Sequence, residues 1–162
     1  MSVTVDIDVA AGVDGVPSQA QFRRWLCLAT DEFGVSDGEA ALRIVDELEG
    51  AALNTRWRGG QGATNVLSFP AGNMPDMPGV PRHLGDLVLC APVLRREAQD
   101  QGKPELHHWA HLVVHGTLHL LGLDHEEAGE AQRMEALERV LLAKLGIADP
   151  YAERDADDVQ DN

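Results

Sequence analysis

The sequence predicts an α+β fold: a single domain with a mixed sheet of about four strands packed with about five helices. Three observations predict it. Four short segments carry strand patterns and several longer ones carry helical spacing, but the two kinds do not alternate strictly as parallel α/β folds do. A chain of 162 residues suits one domain and is long enough to bury its own core. No internal repeat and no linker divides it.

The elements follow in order. Val3, Val5, Ile7 and Val9 alternate with polar residues, the period of a half-buried strand. Ser18 is a helix N-cap, followed by Phe22, Trp25, Leu26 and Ala29 at helical spacing. Residues 41–45 (ALRIV) read as a second strand, and Asp46 to Trp57 as a helix with Leu48, Ala52 and Leu53 on one face. After the loop GGQGATN, residues 65–69 (NVLSF) form a third strand stopped by Pro70. The run AGNMPDMPGVPRH, with three prolines and two glycines, is irregular and of a length that serves function or disorder. Residues 84–90 (LGDLVLC) make the fourth strand, and Pro92 lies in the first turn of a helix reaching about Gln101. Pro104 opens the histidine-bearing helix, expected to stop at Gly122. The last helix, Glu126 to Leu145, points Met134, Leu137, Leu141 and Leu145 inward and closes at Gly146.

Composition narrows the function. Net charge is −14, which excludes a broad basic nucleic-acid surface and leaves only a local patch for any polyanion. The segment 149–162 holds six acids and one arginine, so about −9 belongs to the rest. Residues 1–148 are therefore read as one domain and 149–162 as an acidic, flexible tail. No segment reads as a secretory signal or a membrane span, and Cys27 and Cys90 lie far apart with no paired motif, as two buried free thiols would. A reducing cytoplasm is the expected compartment, with no membrane and no DNA partner.

The chemistry concentrates in HGTLHLLGLDH, residues 115–125. His115 and His119 are four apart on one helix, so both rings leave the same face about 6 Å apart along the axis and can share one ion. His111 lies on that face too, but it is about 12 Å along the axis from His119, too far for one ion to take all three. A third ligand must come from chain that turns back, and Gly122, free to adopt positive φ, lets His125 do so. His111 is then a packing residue or a support behind the ligands, and Asp124 either orients a ring or caps the next helix. His83, His107 and His108 are read as surface or packing residues. Three imidazoles with an open fourth position describe a catalytic zinc site, and nickel or copper are alternatives. The spacing is that of a metzincin peptidase, except that Gly116 stands where the peptidase carries its glutamate base. Proteolysis is therefore the weaker reading.

The stretch HWAHLVVHGTLHLLGLDH, with LNTRWRGGQGATNVLSFP and LGDLVLC before it, resembles the YbeY family of metal-dependent endoribonucleases. The likeness runs from about residue 40 to Tyr151. It implies a single-strand-specific endoribonuclease acting in ribosomal RNA maturation at the small-subunit 3′ end and in ribosome quality control. Its implied partners are ribosomal RNA and the small subunit or associated proteins. It implies His115, His119 and His125 as metal ligands and Arg58 as the functional arginine, where a guanidinium facing a phosphate would offset developing negative charge. Without the resemblance Arg58 reads as a solvated charge at a helix end. Trp57, Gln61, Ala63 and Leu123 depart from the family's pattern around these residues. Ser68 is expected to be structural, and Asp86 to be a buried hydrogen-bonding residue or a support of the metal site. Two other functions stay in view: a metzincin-like zinc peptidase, and a non-catalytic ribosome-assembly factor with a structural metal.

Overall fold

The computed structural model describes residues 3–71, 82–123 and 128–152. Nine elements follow one another: β1 (Val3–Val9), α1 (Gln19–Glu32), β2 (Gly38–Val45), α2 (Glu47–Arg58), β3 (Val66–Pro70), β4 (Arg82–Cys90), α3 (Ala91–Asp100), α4 (Glu105–Leu120) and α5 (Ala128–Ala143). The four strands form one sheet in the order β1-β2-β4-β3. β1, β2 and β4 are parallel, and β3 returns antiparallel to β4 at the edge. The single domain with a mixed sheet of four strands and five helices is as the sequence predicts.

Local chemistry explains most boundaries. Ser18 closes a full capping box with Gln21, satisfying two backbone N–H groups that the helix would otherwise leave open. Asp46 caps α2 by accepting from the Glu49 amide, and Pro92 sits in the first turn of α3, where a missing N–H costs nothing. Two strands are longer than the pattern suggests. β2 begins at Gly38, three residues before the alternating run, because β1 on one side and β4 on the other supply its backbone partners. β4 takes in Arg82 and His83, so the irregular run ends sooner than expected, and its residues 72–81 lie outside the described residues.

The sheet separates two apolar clusters. The larger joins Leu87 and Leu89 to Phe22, Trp25 and Leu26 of α1, to Trp109, Val113 and Leu118 of α4, and to Met134, Leu141 and Leu142 of α5. The smaller, on the other face, joins Val45, Leu67, Val88 and Cys90 to Leu53, Ala63 and Phe69. α2 covers this second face in a way the sequence misjudges. Leu48 is 83% exposed, and the residue buried is Gly50, which sits against Cys90. A Cβ there would stand 3.1 Å from the Cys90 sulfur, tighter than ordinary contact, so backbone rather than a leucine stripe makes the approach. Both cysteines are free, Cys90 buried and Cys27 half-buried, and burial pushes both thiols up. No helix among the described residues is long and apolar enough to cross a membrane.

Candidate metal centre and cleft

α4 is the element that places the chemistry. Ten of its sixteen residues are buried, so its rotation and depth are fixed by the core. Gly116 fixes its distance from the sheet. A Cβ at that position would lie 2.8 Å from Leu87 Cδ2 and 3.3 Å from Val66 Cγ2, so the helix backbone rides directly on β3 and β4. The Ser68 hydroxyl, from β3, donates to the Gly116 carbonyl at 3.3 Å, which makes the contact polar as well as close and agrees with a structural role for Ser68. At the other end, the Leu123 amide donates to Leu118 O at 3.1 Å and the Gly122 amide to His119 O at 3.0 Å, the paired bonds of a Schellman motif. Gly122 takes φ 102°, which a side chain would resist, and the chain turns away there as expected.

On the exposed side of α4 the two histidines meet. His115 Nε2 and His119 Nε2 stand 3.2 Å apart. Two nitrogen ligands of one tetrahedral zinc, each bonded at about 2.0–2.1 Å, stand roughly 3.3 Å apart, so the pair is spaced to share an ion. The opposite nitrogen of His115, Nδ1, is hydrogen-bonded to Glu138 of α5. An ionised carboxylate only accepts, so Nδ1 carries the proton and Nε2 keeps its lone pair toward His119. Asp124 and His125 lie outside the described residues.

Behind the histidine pair lies a buried polar cluster. Glu138 is fully buried, and its second oxygen accepts from the Tyr151 hydroxyl. His111 Nε2 stands 3.6 Å from that same oxygen and 3.3 Å from the Tyr151 hydroxyl, which places His111 within this cluster. Burial works to raise the Glu138 carboxyl, and the adjacent His111 and His115 rings outweigh it, holding it down to about 2. Donor atoms of His111, His115 and Glu138 also lie within 4.8 Å of one another and could hold a metal ion among themselves. That set centres on the buried Glu138, whereas His115 and His119 both line a cleft.

The cleft has a volume of about 680 Å3 and joins α4 to the edge strand and to the end of α2. Its described lining comprises Asn54, Arg58, residues 64–68, Pro70, His115, His119, Gly122 and Leu123, with no carboxylate among them in a chain carrying 27 acids. Arg58 reaches it from the last turn of α2. Its guanidinium donates to the Ser68 carbonyl and lies 5.1 Å from the centre of the Phe69 ring, which orients the charge across the edge strand. Asn54 secures the loop after α2 by donating to Gly62 O at 2.9 Å, and Thr55 does the same to Gly60 O.

Asp86 belongs elsewhere. It is exposed and lines a separate depression with Asp6, Asp8 and Trp57 on the opposite face of the sheet. Its neighbour Leu87 points at α4, so strand alternation sends Asp86 the other way, and it neither is buried nor supports the metal site. His83 is exposed, 3.7 Å from Glu39. His108 is buried and pairs with Glu97 at 2.9 Å, and Glu97 also accepts from Asn65 at the start of β3. Burial lowers the His108 pKa, and its Nδ1 has no partner among the described residues, so the neutral ring is the stable form.

A family model described as endoribonuclease YbeY matches residues 10–146. The chain belongs to the YbeY family. An Alkalilimnicola ehrlichii protein named endoribonuclease YbeY is 56% identical over 144 residues, covering 88% of this chain and 87% of its own length. A Pseudomonas entomophila relative of the same name is 51% identical over 156 residues, with 96% and 98% covered. The solution structure of TM1509 from Thermotoga maritima superposes with a TM-score of 0.58 at 20% identity, over 99% of this chain and 96% of that one, and shares the fold. YbeY membership agrees with the resemblance carried by the histidine segment and by LSFP.

Sequence reasoning missed Glu138, which bonds His115 from behind, and Tyr151, which bonds Glu138. A signal for the first was present. Met134, Glu138, Leu141 and Leu145 fall on one helical stripe, and a charge within an apolar stripe requires a buried partner. Tyr151 gave less, being one aromatic residue in an acidic segment. The tail boundary shifts accordingly. Asp149 pairs with Arg139 at 3.1 Å and Lys103 donates to Pro150 O at 3.2 Å, so residues 149–151 are packed on the domain, and 153–162 lie outside the described residues.

Proposed function

We propose that this YbeY-family chain is a metal-dependent endoribonuclease that cuts single-stranded RNA in the cleft between α4, β3 and the end of α2. The observation that carries this reading is the cleft itself, where two converging imidazoles and one arginine stand in a lining that has no carboxylate among its described residues, in a strongly acidic protein. A net charge of −14 disfavours a polyanion over the protein at large, and this cleft offers one the Arg58 guanidinium. His115 and His119 are the described ligands in this reading, with His125 as the third. The donor set of three imidazoles suits zinc, and nickel or copper would also bind it. When bound, the ion supplies Lewis acidity and a water that ionises near neutral pH.

The chain's own residues do the rest. Arg58 places a permanent, planar positive charge across the cleft and offers paired N–H donors to phosphate oxygens, stabilising the charge that builds there during phosphoryl transfer. Glu138 keeps the His115 proton on Nδ1, away from the cleft. Asn54 and Thr55 hold the loop beside Arg58, which sets where the guanidinium points. Peptidase chemistry lacks its base, and Gly116 faces the sheet, where a glutamate has no room.

Small-subunit ribosomal RNA is the substrate we infer, in 3′-end maturation and ribosome quality control, with the small subunit or its proteins as partners and the cytoplasm as compartment. The test compares metal-replete protein and the His115→Ala variant on structured RNA, single-stranded RNA and casein. Cleavage of single-stranded RNA that disappears in the variant is expected. Casein cleavage would overturn the reading, and inactivity on every substrate with ribosome binding intact would point to an assembly factor.

A further inference from the structure

We propose that Glu138 and Tyr151 are positioning residues of the metal site, so that the segment following α5 sets how tightly the ion is held. The inference rests on His115 being a ligand through Nε2. Glu138 is fully buried on the inner stripe of α5, and both its oxygens are occupied, one by His115 Nδ1 and the other by the Tyr151 hydroxyl. A carboxylate so engaged serves as an acceptor behind the ring. It fixes the ring's orientation and enriches Nε2 as a donor, the usual service of a carboxylate behind a metal-bound imidazole.

Tyr151 in turn is placed by a small docking site of its own. Its ring stands edge-on to His111, with centroids 5.6 Å apart, and under the Arg139 guanidinium at 5.4 Å. Arg139 also holds Asp149, whose carboxylate accepts from the Tyr151 amide at 2.8 Å and so folds the segment into a turn. Lys103, from the loop between α3 and α4, grips Pro150 O at 3.2 Å. Three separate elements therefore converge to deliver one hydroxyl to one carboxylate oxygen. Apolar packing alone would not require this arrangement. A hydroxyl aimed at the far side of a buried, histidine-bound carboxylate has its effect on the histidine.

The experiment measures metal affinity of the full-length chain, stripped and titrated with Zn2+ or Co2+ against a chromogenic chelator. Glu138→Gln is expected to weaken binding roughly 10–100-fold. Tyr151→Phe, which keeps the ring and removes only the hydroxyl, is expected to weaken it several-fold. The visible spectrum of bound Co2+ should keep its wild-type shape in both, because neither residue donates to the ion. Wild-type affinity in Tyr151→Phe overturns the proposal even if Glu138→Gln does not fold. A changed Co2+ spectrum in Glu138→Gln also overturns it, by making Glu138 a ligand. His115→Ala and His119→Ala serve as references. If they too bind normally, the ligand assignment fails first and this inference falls with it.

Discussion

The cleft is built from two unlike helices. α4 buries ten of its sixteen residues, whereas α2 buries only Gly50 of its twelve. The first carries the histidines and is locked by Trp109, Val113 and Leu118 in the core and by the close contact of Gly116 with the sheet. The second carries Arg58 and is tied down mainly by its cap, a few loop hydrogen bonds and the reach of Arg58 itself to Ser68. The difference teaches that the proposed metal donors, which would need fixed geometry, are held by core packing. The arginine proposed to meet the substrate is held by exposed polar bonds, which can adjust.

If that division is right, substitutions in the two halves separate by readout. His119→Ala should have the largest effect, with bound metal lost and RNA cleavage reduced to background. Elemental analysis beside a fluorescent-RNA assay checks it, and full metal occupancy in the variant would break the comparison at its root. Arg58→Ala comes next, lowering kcat by about 10²–10³-fold, the loss typical of one preorganised charge-stabilising donor, with metal content unchanged and only a small loss of melting temperature from the exposed bond to Ser68. Arg58→Lys should not restore activity, because a point charge cannot present the paired donors. A drop in stability matching the drop in rate would instead make Arg58 part of the framework.

Smaller effects probe the rigid half. Gly116→Ala sets the gain in helix propensity, about 1 kcal/mol, against overpacking on Leu87 and Val66 of about 1–3 kcal/mol. We expect a net loss near 1 kcal/mol by denaturant unfolding, and an unchanged midpoint would remove the close-approach argument. His108 gives a pH-dependent term. Burial lowers its pKa in the folded protein below the unfolded value of 6.5, so the unfolded chain binds the extra proton. Stability from this group is complete above that value and falls as pH drops below it, and His108→Gln should flatten that acid limb in urea titrations at several pH values. The smallest effect is expected at Leu48, where Leu48→Ser on an exposed face should move stability by no more than about 0.5 kcal/mol. A larger loss would mean that α2 is packed more firmly than its exposure indicates.

How much of this was legible follows the range of each interaction. The Ser18 cap, the Gly122 stop and the His115–His119 pair depend on residues a few positions apart, and local spacing reveals them. The neutral state of His108 comes from its burial in the core, which outweighs its pairing with Glu97, and spacing reports neither. Leu48 was misplaced because α2 approaches the sheet through Gly50 and Cys90, a contact made by the absence of a side chain. Asp86 was misread although the information was present, since its neighbour Leu87 faces α4 and alternation then turns Asp86 outward. Glu138 and Tyr151 lie 23 and 36 residues beyond His115, and only the folded chain brings α5 and the segment after it to the back of that ring.

The contact at Gly116 bears on how far this scaffold can be retrained. The histidine-bearing helix touches the sheet through bare backbone, so installing a general base beside His115 requires first hollowing out the two strands opposite, at Leu87 and Val66. Such a change would loosen the platform that aims the histidines before the new carboxylate had anything to act on. A redesign toward amide hydrolysis would therefore pass through a less stable, poorly metallated variant, while one toward a different RNA could work at the rim around Asn54 and Arg58 and leave that platform untouched.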